Sequence, residues 1–216
     1  MKSRQTISQY NKSIQKMIFN YLLIVLSLPL IIPVFILITF LIAMFSSLPI
    51  FFIQKRVGKK GKIFKMIKFR TMVKDADRLQ SKYTKLNEAD GPVFKIKNDP
   101  RYTKFGKQLS RTGLDELPQL LNVLRGEMYL VGPRPLPTYE ANKLNKVQKF
   151  RLLVKPGITS SWIVNGNHRH TFKTWMDMDK DYVQNATLAT DVKILSRTFS
   201  IPVNYILGIF KKNSIL

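Results

Sequence analysis

The chain has 216 residues, of which 36 are Lys or Arg and 13 are Asp or Glu, and its formal net charge is +23. A charge of this size requires an anionic partner, which could be nucleic acid, anionic lipid headgroups or a phosphorylated substrate. The chain contains no cysteine, which excludes disulfides and thiolate metal sites, and its two histidines, His168 and His170, argue against a histidine-rich zinc site.

The first predicted element is an apolar segment of 38 residues, from Met17 to Gln54, that carries no formal charge. A membrane needs only about 20 helical residues, so the segment is too long for one ordinary span and too short for two spans with a loop. Pro29 and Pro33 lie near its middle. Because proline removes a backbone hydrogen bond, we expect a break or kink there.

Basic residues flank this segment on both sides, and they mark the cytoplasmic face of a membrane. They are Lys2, Arg4, Lys12 and Lys16 before it, and Lys55, Arg56, Lys59, Lys60 and Lys62 after it. We therefore favour a re-entrant helical hairpin over residues 17–48, broken near the two prolines. The alternative is a single tilted transmembrane helix over roughly residues 18–42. A cleaved signal peptide would have a shorter apolar core and a better cleavage site.

The remaining segments predict an α+β fold with a mostly helical cytoplasmic domain. Residues 1–16 form a basic N-terminal segment, residues 49–200 suit one catalytic domain, and residues 201–216 are an apolar and basic tail for the membrane interface. Alternating apolar and basic residues predict a β-hairpin over residues 49–70. Helices are predicted at 72–88, 99–111, 114–125 and 138–153, with one or two more over 175–199.

Asp115 and Glu116 are adjacent carboxylates at the predicted start of helix 114–125. The positive end of a helix favours anions and keeps a carboxylate ionised, as a nucleophile or a metal ligand requires. The alternative is that both acids are ordinary helix-start residues. Nearby cations favour a divalent metal and a phosphorylated ligand; they are Lys104, Lys107, Arg111, Arg125 and Arg134, the last between two prolines.

A second acidic group has Asp177, Asp179 and Asp181 at a spacing of two. This spacing resembles a helix start or a metal loop, but the glycine and distal glutamate of a calcium-binding EF-hand are missing.

Together these residues resemble the bacterial sugar transferases, which are monotopic phosphoglycosyl transferases. The resemblance extends over nearly the whole chain from Asn20. Five strings occur in the family's order: PIFFIQKRVG at 49–58, KFRTM at 68–72, DELPQ at 115–119, VGPRP at 131–135 and KPGIT at 155–159.

The resemblance implies transfer of a sugar 1-phosphate from a UDP-sugar to polyprenol phosphate, such as undecaprenyl phosphate, with release of UMP. It implies that Asp115 is the nucleophile of a phosphoaspartyl-sugar intermediate and a ligand of Mg²⁺, and that Glu116 assists in metal binding or proton handling. It also implies a set of basic residues that bind phosphate and substrate: Lys68, Arg70, Arg111, Arg134 and Arg169.

The same resemblance implies a place in the bacterial inner (cytoplasmic) membrane, with the catalytic domain facing the cytoplasm. The reaction would be the first membrane step of exopolysaccharide, capsule or glycan assembly. The expected partners are the donor, the acceptor, anionic phospholipids and downstream glycosyltransferases, and we expect no nucleic acid.

The chain departs from the family pattern in three places. Ser110 occupies a place where members often have Arg before the acidic pair, so a phosphate contact is expected to be missing or moved. Ile32-Pro33 stands where members often have Ser-Pro, and residues 160–167 differ from the usual string in a part that we expect to touch the donor sugar. Two alternatives are therefore kept: a membrane-tethered protein that binds nucleic acid through its charge, and a non-catalytic scaffold.

Overall fold

The computed structural model describes residues 6–46, 48–166 and 171–213. Its regular elements are, in chain order, α1 (Gln9–Lys12), α2 (Ile14–Phe45), β1 (Phe51–Val57), β2 (Ile63–Phe69), α3 (Ala76–Leu79), α4 (Lys104–Thr112), α5 (Leu120–Leu124), β3 (Tyr129–Val131), α6 (Thr138–Ala141), β4 (Gly157–Thr159), α7 (Ser161–Val164), α8 (Phe172–Asn185) and α9 (Leu188–Asn213). The predicted mixture of helices and short strands, with helix dominant, is confirmed.

Helix α2 has 32 residues and is therefore about 48 Å long. It is long and apolar enough to cross a membrane, and it is the one such helix among the described residues. Pro29 and Pro33 both lie inside it, so the secondary structure is not divided into two helices at these prolines. The re-entrant path and the domain boundaries drawn from it stay predictions.

The two ends of α2 pack on the folded domain, while its middle does not. The buried residues near the N-terminal end are Lys16, Asn20 and Ile24, and those near the C-terminal end are Ile38 and Ile42. No described residue of α2 between Ile24 and Ile38 is buried, and the exposed apolar side chains there include Val25, Leu26, Leu30, Ile32, Ile36 and Leu37.

Polar contacts fasten the N-terminal end of α2. The Lys16 ammonium lies 3.0 Å from the Asp191 carboxylate, and the two side chains are 1% and 0% exposed. The Asn20 side-chain oxygen accepts a hydrogen bond of 2.6 Å from the Leu130 amide. The C-terminal end instead packs through apolar contacts, as Ile38 and Ile42 join a cluster with Phe69 and Leu109.

The predicted β-hairpin is confirmed: β1 and β2 pair antiparallel, with Phe51 opposite Phe69 and Val57 opposite Ile63. The sequence did not predict the second sheet, in which β3 and β4 pair parallel. The backbone there is crowded, since a Cβ on Gly157 would lie 2.0 Å from the Gly132 nitrogen. Glycine is therefore required at position 157, directly behind the loop that carries Arg134.

Several predicted helices are shorter than expected. Residues 72–88 contain α3 and a 3₁₀ helix at Ser81–Leu86, and residues 138–153 contain α6 and a 3₁₀ helix at Gln148–Leu153. The helices predicted over residues 175–199 agree more closely with the structure, where α8 and the first half of α9 cover this range. The largest core cluster joins α2, the hairpin, β3, α8 and α9 through Ile24, Met66, Val131, Tyr182 and Ile194.

Candidate active site

Asp115 and Glu116 lie on a short 3₁₀ helix, Leu114–Gln119, that continues into α5. Gly113 precedes it with a positive φ of 74°, which ends α4 and turns the chain. The predicted helix over 114–125 is therefore present, but it begins as a 3₁₀ turn. The Asp115 side chain is buried, with 5% of the residue exposed.

Glu116 pairs with Arg134 across the site. Both guanidinium amino groups of Arg134 donate to the Glu116 carboxylate, one at 3.0 Å to Oε2 and the other to Oε1. Burial raises the pKa of Glu116, but the charge and hydrogen bonds of Arg134, together with the charges of Lys68 and Arg56, outweigh it and hold that pKa below its ordinary value. Glu116 is therefore ionised at neutral pH, and Arg134 already has a carboxylate partner within the protein.

Asp115 has a different environment from its neighbour. Burial and, after it, the negative charge of Glu116 raise the pKa of its carboxyl group from 3.8 to about 7, against the opposing charges of Lys68 and Arg134. Two adjacent carboxylates with their pKa values pushed apart are typical of a site in which they have separate chemical roles. Asp115 is the one whose charge the protein does not fully neutralise.

The hairpin supplies further cations on the same side of its two strands. Phe52, Gln54 and Arg56 of β1 face the same cleft as Lys68 of β2 and Arg70 beyond its end. Burial lowers the pKa of Lys68, and the charges of Asp115 and Glu116 oppose this effect. The Arg70 guanidinium also donates to the Leu48 carbonyl at 3.0 Å.

Arg56 and Lys95 are among the cations of the cleft that were not predicted as site residues. Arg56 donates to the Pro135 carbonyl at 2.9 Å, beside Arg134. Lys95 lies over the Trp175 ring at 5.4 Å, and burial together with the charge of Arg134 lowers its pKa to about 8. Strand alternation could have indicated Arg56, since it lies two residues from Gln54, but Lys95 is in a segment without regular structure.

The cleft has a volume of about 1130 Å³ and combines charged and apolar walls. Asp115, Glu116, Lys68, Arg70, Arg111 and Arg134 all line it, so the structure brings together every predicted site residue that it describes. Arg169 lies outside the described residues. Apolar side chains of α2 and α9, including Ile24, Ile31, Leu195 and Phe199, line the same cleft.

The site residues fit a magnesium ion that shares its coordination with a substrate. Within residues 6–46, 48–166 and 171–213 no three acidic or histidine side chains form a metal cluster. Mg²⁺, however, commonly binds one or two carboxylates together with substrate phosphates and waters. The mutual repulsion that raises the pKa of Asp115 beside Glu116 is an interaction that a divalent cation would relieve.

Residues 11–204 match the family model described as bacterial sugar transferase. The chain is 37% identical over 189 residues to the exopolysaccharide production protein ExoY of Sinorhizobium fredii, a match that covers 86% of this chain and 84% of that protein. It is 42% identical over 154 residues to the galactosyl transferase CpsE of Streptococcus agalactiae, covering 71% and 34% of the two chains.

A third relative is the undecaprenyl-phosphate galactose phosphotransferase of Salmonella typhimurium, which is 39% identical over 158 residues. That match covers 69% of this chain and 32% of the relative, so this chain spans about a third of the length of two of these three relatives. The family match over most of the chain agrees with the acidic pair, the basic cleft and the apolar helix beside it. The chain is a member of the bacterial sugar transferase family and an enzyme.

Proposed function

We propose that this protein transfers a sugar 1-phosphate from a UDP-sugar to undecaprenyl phosphate, or another polyprenol phosphate, and releases UMP. The observation that carries the proposal is the buried Asp115 in a cationic cleft that also has the apolar side chains of α2 in its wall. A water-soluble diphosphate needs the cations, and a polyprenol chain needs an apolar path. The relative from Salmonella typhimurium supports the choice of acceptor by its name.

The first step proceeds from the ionised form of Asp115. A carboxylate oxygen attacks the phosphorus next to the sugar, a new O–P bond forms, and the bond from that phosphorus to the bridging oxygen breaks. The electron pair of the broken bond leaves with UMP, and the sugar phosphate stays on Asp115 as an acyl phosphate. Such displacements depend mainly on positioning and neutralised charge, which Lys68, Arg56 and Arg134 provide.

In the second step a phosphate oxygen of the polyprenol phosphate attacks the same phosphorus. The bond to Asp115 breaks, the carboxylate is restored, and a polyprenyl-diphosphate sugar leaves the site. A covalent intermediate allows the two substrates to use one cationic site in turn. This suits a chain in which one acidic pair lies beside a long apolar helix.

We assign Mg²⁺ to Asp115 and Glu116. When bound, the ion would supply positive charge to the donor diphosphate. Arg134 would hold a phosphate oxygen, since its planar guanidinium forms paired hydrogen bonds with carboxylates and phosphates alike.

Two features of α2 support a re-entrant path with the catalytic domain on the cytoplasmic side. Both ends of the helix are buried against the same domain, through Lys16 and Asn20 at one end and Ile38 and Ile42 at the other. A helix that crossed the bilayer would deliver its two ends to opposite faces. The exposed apolar stretch between these ends contains Pro29 and Pro33, where a bend costs least.

The test is UMP release by purified protein in nanodiscs with Mg²⁺, undecaprenyl phosphate and a set of UDP-sugars. We expect UMP from one donor and no UMP from the Asp115→Asn variant. Asp177→Asn is the matched control, because Asp177 is exposed on α8, outside the cleft. Release of UDP would instead indicate ordinary glycosyl transfer, and a folded protein that releases nothing from any donor would favour the scaffold alternative.

Without acceptor, the proposed intermediate is itself testable. Incubation with a donor labelled on the sugar-side phosphate should leave label on the parent protein and none on Asp115→Asn. UMP release without any protein-bound label, under conditions in which turnover is normal, would contradict the covalent route.

A further inference from the structure

We propose that Arg151, held by Asp179, is a positioning residue that sets the Arg134 loop for phosphate binding. The loop comprises residues 132–137, and this inference rests on the function proposed above for Arg134. Neither Arg151 nor Asp179 is part of the acidic pair or of the hairpin cations. They act, in this proposal, through the backbone of Arg134 and not by contact with the reacting atoms.

The loop has an unusual way of being held. Pro133, Pro135 and Pro137 have no amide hydrogen, so the loop offers few donors and depends on its carbonyl groups for attachment. Four consecutive carbonyls accept hydrogen bonds from elsewhere in the fold: Pro133 from the Gly157 amide, Arg134 from Arg151, Pro135 from Arg56 and Leu136 from the Val57 amide.

Two of these four donors are guanidinium groups that reach the loop from different elements. Arg56 comes from β1 and donates to the Pro135 carbonyl at 2.9 Å. Arg151 comes from the 3₁₀ helix Gln148–Leu153, and its Nη2 donates to the carbonyl of Arg134 itself. Arg151 therefore fixes the backbone of Arg134, the residue that binds Glu116, and Arg56 fixes the backbone of Pro135, the next residue.

Arg151 is in turn fixed by a buried carboxylate. Its Nη2 lies 3.0 Å from Oδ2 of Asp179 on α8, and the two side chains are 3% and 2% exposed. Burial raises the pKa of Asp179 to about 6, against the opposing charge of Arg151. Nη1 of Arg151 is buried and has no hydrogen-bond partner among the described residues. Oδ2 of Asp179 likewise accepts no hydrogen bond among the described residues, so the charges of the two side chains hold this pair together.

The connection reaches the reactive pair in three contacts. Asp179 orients Arg151, Arg151 holds the Arg134 carbonyl, and the Arg134 side chain binds Glu116 beside Asp115. Loss of the Arg151 contact leaves the acidic pair and the hairpin cations in place but frees the Arg134 backbone to move. Displacements of about 1 Å in a positioning element can reduce phosphoryl-transfer efficiency roughly a hundredfold.

The first test measures the loop directly and does not require activity. Hydrogen–deuterium exchange is followed in peptides that cover residues 129–138 in the parent and in Arg151→Lys. Lysine keeps the positive charge beside Asp179 but lacks the planar group that contacts both partners. We expect the exchange of the Gly132 amide, which donates to the Thr159 carbonyl at 3.0 Å, to become faster. Unchanged exchange in a folded Arg151→Lys protein would overturn the positioning role.

The matched control is Arg101→Lys, which weakens another buried Arg–Asp pair. Arg101 bonds Asp99 at 2.6 Å and both are buried, and its side-chain hydrogen-bond partners among the described residues, Asp99 and the Ala76 carbonyl, lie outside the Arg134 loop. We expect Arg101→Lys to lower the melting temperature without faster exchange over residues 129–138. If both variants loosen the loop equally, the effect is general destabilisation and the specific role of Arg151 is refuted.

The second test uses kinetics. We expect Arg151→Lys and Asp179→Asn to raise KM for the UDP-sugar roughly tenfold or more. In an Arg134→Lys background, Arg151→Lys should add little, because both changes remove the same interaction. Additive effects in this double variant would contradict action through Arg134. A parent protein that releases no UMP would refute the proposed function, while the exchange result would still decide the positioning role.

Discussion

The substitution Asp115→Asn is expected to abolish turnover and at the same time to stabilise the protein. Burial and the charge of Glu116 raise the pKa of Asp115 from 3.8 to about 7 in the folded protein. An acid with a raised pKa binds its proton more tightly when folded, so its ionisation costs folding free energy. Asparagine has a similar shape but no charge, so it avoids this cost in folding free energy.

The size of the effect follows from the pKa difference. Asp115 titrates near 3.8 when unfolded and near 7 when folded, which at about 1.4 kcal/mol per pH unit gives about 4 kcal/mol above pH 7. Below pH 3.8 the carboxyl is neutral in both states and the difference vanishes. The stability advantage of the variant should therefore grow as the pH rises from about 4 to 7 and stay constant above. For a chain of this size the melting temperature should rise by roughly 10 °C.

The assay is thermal unfolding followed by tryptophan fluorescence, in nanodiscs, at pH values from 4.5 to 8.5. Trp162 and Trp175 are both buried, and their rings stack with centroids 4.5 Å apart, so unfolding should change their emission. Asp177→Asn, which removes an exposed carboxylate, should unfold like the parent at every pH. A variant that is no more stable than the parent at pH 8 would refute the reasoning that Asp115 is a strained nucleophile.

Further predictions concern pH, charge pairs and topology. Formation of the labelled intermediate should fall as the pH drops through about 7, because protonated Asp115 is no nucleophile; a rate independent of pH between 5 and 8 would contradict this. Chelation of Mg²⁺ should stop UMP release, and readdition should restore it. Asp191→Asn should lower the unfolding free energy by about 3–5 kcal/mol in denaturant titrations, because Lys16 would keep a buried charge without its partner. Cysteines introduced at Lys12 and Lys55, in a chain that has none, should both resist an impermeant maleimide added outside intact cells; labelling of either would contradict the re-entrant path.

Local sequence patterns predicted the parts of the fold that depend on neighbours along the chain. The alternation over 49–70 predicted β1 and β2, and their pairing agrees with it. The acidic pair and the basic residues of short motifs were predicted as one site, and Asp115, Glu116, Lys68, Arg70, Arg111 and Arg134 do line one cleft. Such residues are recognisable because each motif is short and carries its own chemistry.

Parts of the fold that depend on distant contacts were not predicted. The parallel pairing of β3 and β4 joins segments about 28 residues apart, and three-residue strands have too little alternation to detect. Asp179 was noticed only as one of three aspartates at a spacing of two. Its neighbours Asp177 and Asp181 are exposed, while Asp179 is buried against Arg151, and nothing local distinguishes the three. A tertiary partner decides which of them has a role.

The arrangement of charges explains why the site pairs the phosphate-binding Arg134 with Glu116, beside the nucleophile Asp115. Arg134 is bound to Glu116 in the protein alone, so a donor phosphate has to compete with a carboxylate for the same guanidinium. In the proposed reaction a divalent cation would lower the free-energy cost of this exchange of partners. The Glu116 carboxylate would bind the ion while the Arg134 guanidinium binds the phosphate. Each buried charge then keeps an opposite partner throughout. An exchange of this kind requires that the Arg134 backbone stay still while its side chain changes partners, and the four held carbonyls of residues 133–136 meet that requirement.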